Sequence, residues 1–286
     1  MDRVAFHGRG LHSGELCSVA FDRDFGPVRL RMGKRSVELS ELSVLRTDHG
    51  VQLGLAGEPA AGSTTPATEL PTLGGEVIFR LDLVEHLMAA LAGLGIYSDL
   101  EIRASGPELP LLDGGALEYS LALLALELPQ EPPRTRICRR GELQVGSARY
   151  TFEPADTTQI SVTVDFPGVG EQRASWNGTR AHFLEAIAPA RTFGYRSDHQ
   201  ALLAAGRAQA VNPRSVMVLN ARGEVEPPGA PMAEAELARH KLLDLMGDLF
   251  LGGGPLLGQL SADQPGHTNN QRVLQAARAA QLIEAI

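Results

Sequence analysis

Cysteine is almost missing from this chain: Cys17 and Cys138 are the only two among 286 residues. They stand far apart and form no C-x-x-C pair, so neither a disulfide framework nor a cysteine-built zinc site is indicated, and a reducing compartment follows. Long hydrophobic runs are missing too. The most apolar stretches, His86 to Tyr97 and Leu121 to Leu128, fall well short of the roughly 20 residues that a membrane-crossing helix needs. The opening MDRVAFHGRG places charges where a signal peptide requires an apolar run. A soluble, cytoplasmic protein with no transmembrane segment and at most peripheral membrane contact is expected. There is no excess of positive charge: 26 Lys and Arg against 34 Asp and Glu give −8. That balance excludes a nucleic-acid partner held by bulk phosphate neutralisation. No period of roughly 20 to 50 residues recurs, which excludes a solenoid.

What is present is enough chain for two modest cores. Short strand segments run from Arg3 to about Leu53 around the turn Gly8-Arg9-Gly10. Residues 56–76, rich in Gly, Pro, Ser and Thr, read as a surface excursion. Leu83, Val84, Leu87, Met88, Leu91 and Leu94 then recur at helical spacing, with Asp82 and Glu85 in capping-box positions and Gly93 or Gly95 as the stop. A strand at Asp99–Ala104, a turn at Asp113-Gly114-Gly115 and a helix over 116–128 follow. The proline-rich segment LPQEPPRTR, 128–136, is the best linker. It divides the chain into an N-terminal α+β domain, 1–130, and a C-terminal one, 135–286. The second begins with strands at 142–145, 149–153 and 160–166. Helices near 180–188 and over 233–251 come next, then a strand at 256–260 and a last helix from about Asn270.

In RHKLLDLMGDLF, His240 and Asp244 are i, i+4 on one helix face, the spacing at which an imidazole and a carboxylate chelate a metal. Asp248 continues that face, and Lys241 lies about 100° around the helix. A solvated helix with ordinary charge pairs would carry the same residues. A hydrolytic zinc site takes three protein ligands. His86 is a candidate third, a polar ring on an otherwise apolar helix, where a core histidine with a satisfied ring is the alternative. Glu85 beside it is a candidate general base, or merely a cap partner of Asp82. His267, in a loop before the last helix, can protonate a leaving amine or simply be exposed. Thr192, in a probable loop of sequence RTFGY, offers a hydroxyl to an oxyanion. His7, His12, His49, His182 and His199 show no ligand spacing with one another.

Taken in order, GRGLHSG, VEHL with AALAGLG, ELPLLDG, RTFG, HKLLDLMGDLF and GHTNN resemble the zinc-dependent UDP-3-O-acyl-N-acetylglucosamine deacetylases of lipid A biosynthesis, from about Gly8 to Gln275. The resemblance implies an α+β fold of two duplicated β-α-α-β halves that sandwich helices, with the active site between them. It also implies a zinc amidohydrolase that releases acetate from an acylated UDP-amino sugar. Zinc would be held by His86, His240 and Asp244; iron suits the same donors. Glu85 would take a proton from water, and Thr192 would stabilise the oxyanion. His267 would protonate the amine, Asp248 would orient His267, and Lys241 would add positive charge. A β-α-β insertion near 191–219 would form an apolar tunnel for the acyl chain, with Phe193 at the substrate. The protein is expected to be a monomer.

Three departures from the family pattern stand out. Leu83 replaces a usual Thr. Cys138 stands where a phosphate-contacting lysine is common, leaving Arg139 and Arg140 as the expected phosphate contacts. Val211-Asn212-Pro213-Arg214-Ser215 replaces a glycine-rich stretch. The alternatives are a deacetylase acting on a different acetamido sugar, and a non-catalytic metal-containing homologue that binds a nucleotide sugar lipid.

Overall fold

The computed structural model describes residues 3–55 and 79–286; the expected excursion at 56–76 lies outside the described residues. The first part of the chain forms β1 (Arg3–Arg9), β2 (Leu16–Pro27), β3 (Arg29–Met32) and β4 (Arg35–Glu38), then β5 (Ser43–Arg46), β6 (Gln52–Leu55) and β7 (Phe79–Asp82). Helix α1 (Glu85–Leu94), β8 (Ser98–Ser105) and helix α2 (Leu117–Leu124) complete it. Along β1 exposed and half-buried residues alternate strictly, the period-two pattern of a strand with one covered face. Every residue of α1 is buried, and Gly95, at φ 66°, ends it in the left-handed conformation that glycine adopts without steric cost.

The second part contributes β9 (Thr135–Ile137), β10 (Gly141–Val145), β11 (Ala148–Glu153), β12 (Gln159–Phe166) and β13 (Gly170–Trp176). A single turn, α3 (Arg180–His182), runs into a π-helical turn at Phe183–Ile187. Then come β14 (Thr192–Tyr195), α4 (Arg196–Ala204), β15 (Val216–Leu219), α5 (Glu236–Leu251), β16 (Leu256–Leu257), β17 (Gln259–Asp263), α6 (His267–Ala279) and β18 (Ile283–Ala285).

The two main sheets have the same plan. Their strand orders are β1-β2-β8-β3-β4 and β10-β11-β17-β12-β13. In each, the central strand is the last of its sheet in chain order, pairing antiparallel with the second strand in that spatial order and parallel with the fourth. The repeat therefore spans about half the chain. Helix α5 packs on β12 and β13, α6 on β10, α2 on β1, and α1 meets both α2 and α5. One continuous core joins Phe21 and Ile102 of the first sheet, Leu87 and Leu91 of α1, Leu242 and Leu249 of α5, and Phe152 and Val162 of the second sheet.

Helices α1 and α5 approach closely because α5 has a glycine at the crossing. A Cβ on Gly247 would lie 2.1 Å from the carbonyl oxygen of Glu85. Glycine inside a helix costs about 1 kcal/mol relative to alanine, and here it permits backbone-to-backbone contact. That contact sets the first turn of α1 beside the middle of α5.

Local expectations differ in several places. Asp82 and Glu85 form no capping box. Asp82 belongs to β7 and accepts hydrogen bonds from Arg46 and Gln52, while Leu83 at φ 60° turns the chain from strand into helix. The segment near 180–188 is only a helical turn continued by a π turn. Thr192 lies in a strand, β14, parallel to β15. Helix α6 begins at His267 rather than Asn270.

Candidate functional site

Helix α5 presents His240, Asp244 and Asp248 at successive i, i+4 positions, and the crossing with α1 places His86 opposite them. The Nε2 atoms of His86 and His240 lie 3.9 and 3.5 Å from Asp244 Oδ1. The two imidazoles meet edge to face, with centroids 5.1 Å apart. One donor atom from each of His86, His240 and Asp244 falls within 4.8 Å of the others, and all three residues are buried. His240 Nδ1 is 3.0 Å from the carbonyl oxygen of Ala190, an arrangement that assigns the ring proton to Nδ1 and leaves Nε2 a free lone pair. Buried His86 Nδ1 has no partner among the described residues.

The electrostatics match that donor set. Burial, reinforced by neighbouring His240, pushes the His86 pKa down to about 3, and burial also lowers His240. Both rings are thus neutral, the form that ligates a metal. Burial opposes a charge on Asp244, yet Lys241 and the imidazoles of His240, His267 and His86 outweigh it and hold the carboxyl well below the ordinary carboxylate range. Two neutral imidazole nitrogens and one carboxylate oxygen fit a zinc or iron(II) ion with room for further ligands.

Two more groups flank the cluster. Glu85 is buried, and its Oε2 accepts the Val51 amide at 2.9 Å. Gly50, at φ 118°, lies so close that a Cβ there would stand 3.0 Å from Oε1. Burial is the main cause that pushes the Glu85 carboxyl up to about 7. On the other side His267 Nδ1 donates to Asp248 Oδ2 at 2.9 Å, while its Nε2 lies 3.8 Å from Asp244 Oδ2. Burial disfavours the His267 cation, but the Asp248 and Asp244 carboxylates overcome it and push the pKa up to about 9. Asp248 is fully buried and also accepts from Asn270 and Gln271; Asn270 in turn accepts the Tyr150 hydroxyl. Half-buried Lys241 donates to Asp244 Oδ2, and nearby carboxylates, Asp244 first, raise its pKa against the effect of burial.

A cavity of about 390 Å³ opens on these groups. Glu85, His86, His240, Lys241, Asp244 and His267 line one end, with Thr192 and Phe193 beside them. The Thr192 amide donates to Gly114 across the two halves, and the Phe193 ring packs edge-on against Phe166 and His240. Arg139 and Arg140 are not brought to the cavity. Arg139 donates to the Ala280 carbonyl and Arg140 pairs with Glu153. They sit at the C-terminal end of α6, whose 13 residues separate them from His267 by roughly 20 Å of helix.

Three histidines without ligand spacing, His12, His49 and His199, also line the cavity. His12 Nε2 lies 2.6 Å from the His49 carbonyl, and buried Glu108 fixes the loop by accepting the amides of His12 and Ser13. Sequence spacing missed them because they come from two separate turns and from helix α4. The one available signal was His12 lying inside GRGLHSG.

Comparison with known proteins supplies the remaining observation. The family model described as UDP-3-O-acyl N-acetylglycosamine deacetylase matches residues 1–279. A protein of Anaeromyxobacter dehalogenans named UDP-3-O-acyl-N-acetylglucosamine deacetylase is 31% identical over 282 residues, covering 97% of this chain and 85% of the relative. Proteins of the same name from Brucella ovis and Brucella canis are each 32% identical over 228 residues, covering 77% of this chain and 79% of theirs.

Proposed function

The chain belongs to the UDP-3-O-acyl N-acetylglycosamine deacetylase family, and from that premise we infer that it hydrolyses the acetamide of UDP-3-O-acyl-N-acetylglucosamine, releasing acetate and the free amine in lipid A biosynthesis. The observation that carries the inference to chemistry is the convergence of His86, His240 and Asp244 between a carboxyl raised to about 7 and an imidazole raised to about 9.

His86 Nε2, His240 Nε2 and Asp244 Oδ1 would hold the metal, assigned as zinc with iron as the alternative. Such an ion, when bound, polarises a carbonyl oxygen and brings the pKa of water toward 7. The protein's own groups do the rest. Glu85, with a pKa near neutrality, accepts the proton of the attacking water. The Thr192 hydroxyl donates to the oxygen that gains charge as the acetamide carbon becomes tetrahedral. His267 remains an imidazolium at neutral pH because Asp248 holds its Nδ1–H, and it delivers the Nε2 proton to the amine as the C–N bond breaks. An amine is a poor leaving group until protonated, so this transfer is the step for which the Asp248 network is built. Lys241 neutralises Asp244 Oδ2 and adds positive potential where the oxyanion develops.

The β-α-β unit from β14 to β15 gives the acyl chain apolar walls, with Phe193 at the junction with the sugar. No helix among the described residues is long and apolar enough to cross a membrane. The proposed setting is a cytoplasmic monomer that draws its acylated substrate from solution or from a membrane surface.

Metal analysis of the purified protein, coupled to acetate release from the acylated UDP sugar, tests the assignment. Stoichiometric metal and acetate release above a metal-stripped control are expected. A preference for the simple acetylated sugar over its UDP-linked, acylated form would overturn the substrate.

A further inference from the structure

The cavity has a continuation. Away from the metal ligands a second void of about 340 Å³ adjoins the first, and the two share His199, Ala208, Val211, Val216 and Val218 in their linings. These side chains, termed the partition, stand where the two voids meet. On the near side the walls include Phe166, Phe193 and Leu202; on the far side stand the paired Arg196 and Glu226, 2.7 Å from Nε to Oε2.

Val211 cannot easily swing away. The amides of Gln209 and Ala210 donate to the carbonyls of His12 and Leu11, and Arg207 binds Asp48 through both its carbonyl and its carboxylate. Those bonds stitch residues 207–210 to the first half of the molecule. The Val211 side chain packs against the cluster of Leu11, Leu83, Leu111 and Val216. Behind it the Asn212 carbonyl accepts the amides of Ser215 and Val216, closing a tight turn.

We propose that the partition fixes the length of acyl chain this protein accepts, the chain filling the near cavity and ending against Val211 and His199. The proposal rests on the reading of the protein as an acyl-sugar deacetylase. Each methylene buried against apolar walls is worth about 0.8 kcal/mol, or roughly fourfold in binding. A chain pushed past Val211 would have to displace His199 and the turn behind Val211, and would then meet the Arg196–Glu226 ion pair among Leu203, Pro213 and Pro228. The limit is therefore the wall itself, a steric stop with an ion pair behind it.

The test is a graded series. Free fatty acids of increasing length are titrated into the metal-loaded protein by calorimetry, and UDP substrates with the same chains are assayed for acetate release. In the unaltered protein, affinity and kcat/KM rise roughly fourfold per methylene up to a break and then level or fall. In Val211→Gly the break moves at least about two methylenes longer, with Val211→Ala between the two. His199→Leu extends the rising limb in the same direction by removing the polar group. The break is read within each variant's own series, so a general loss of activity does not mask it. An unmoved break in both Val211 variants, or no break in the unaltered protein, overturns the proposal. Whether acetate is released at all answers to the deacetylase reading alone, and the break in the fatty-acid titration to the partition alone, so either can fail without the other.

Discussion

Glu85 and His267 bracket the metal-ligand cluster with pKa values displaced in the same direction for opposite uses. Glu85 must be deprotonated to accept a proton, so kcat/KM should rise as pH passes upward through about 7. His267 must be protonated to give one, so kcat/KM should fall as pH passes upward through about 9. A bell-shaped profile between these limits is expected, with both limbs displaced acidward once a cation sits beside the two groups. Asp248→Asn removes the main support of the imidazolium. The alkaline limb should then fall toward the ordinary histidine value of about 6.5, and the acid limb should not fall with it, since the His267 cation is what holds Glu85 down; a purely structural role for Asp248 would leave the alkaline limb unmoved. His267→Ala should retain the metal and lose at least about a hundredfold in turnover. His86→Ala should lose the metal itself, as elemental analysis of the purified variant would read directly.

At the level of helices and strands, the close crossing of α1 and α5 decides whether the ligands meet. Gly247→Ala would drive a methyl into the Glu85 carbonyl, at a cost of about 1–3 kcal/mol for an overpacked core. It should also weaken metal retention, since parting the helices parts His86 from His240; thermal melts and metal titration together would read both effects. Much at this scale was legible. Apolar spacing located α1 and α5, and alternation located most strands of the two sheets. The i, i+4 step from His240 to Asp244 is enough to set two candidate ligands on one helix face. What was not legible depended on distant partners. The Asp82–Glu85 capping box failed because strand pairing placed Asp82 beside Arg46 and Gln52. Thr192 became a strand residue only because β15, far along the chain, lies parallel to it. Arg139 and Arg140 looked available for phosphate, but α6 sets its whole length between them and His267. Nothing local records which end of a helix a neighbouring loop will meet.

For the molecule as a whole, the proposed metal draws on both halves, His86 from one and His240 with Asp244 from the other. It adds to contacts already made across the divide by Arg207 with Asp48 and by the hydroxyls of Thr47 and Thr268. Binding that requires both halves in place stabilises the folded state by mass action, about 2.7 kcal/mol at a hundred times the dissociation constant. For a chain of this size that corresponds to roughly 4 to 5 °C in Tm. A chelator should therefore lower the Tm of the unaltered protein by about that much and leave His86→Ala unaffected. The sheet plan also has a consequence for synthesis on the ribosome. Because β8 and β17 are central yet last to emerge in their sheets, the first sheet can close once Ser105 is free of the exit tunnel, and the second must wait for Asp263. At roughly 5 to 20 residues per second that interval is about 8 to 32 s. During it the nascent chain carries a finished first sheet whose helix α1, later covered on every side, still lacks α5 as a cover, which makes this the window in which a chaperone would have to attend.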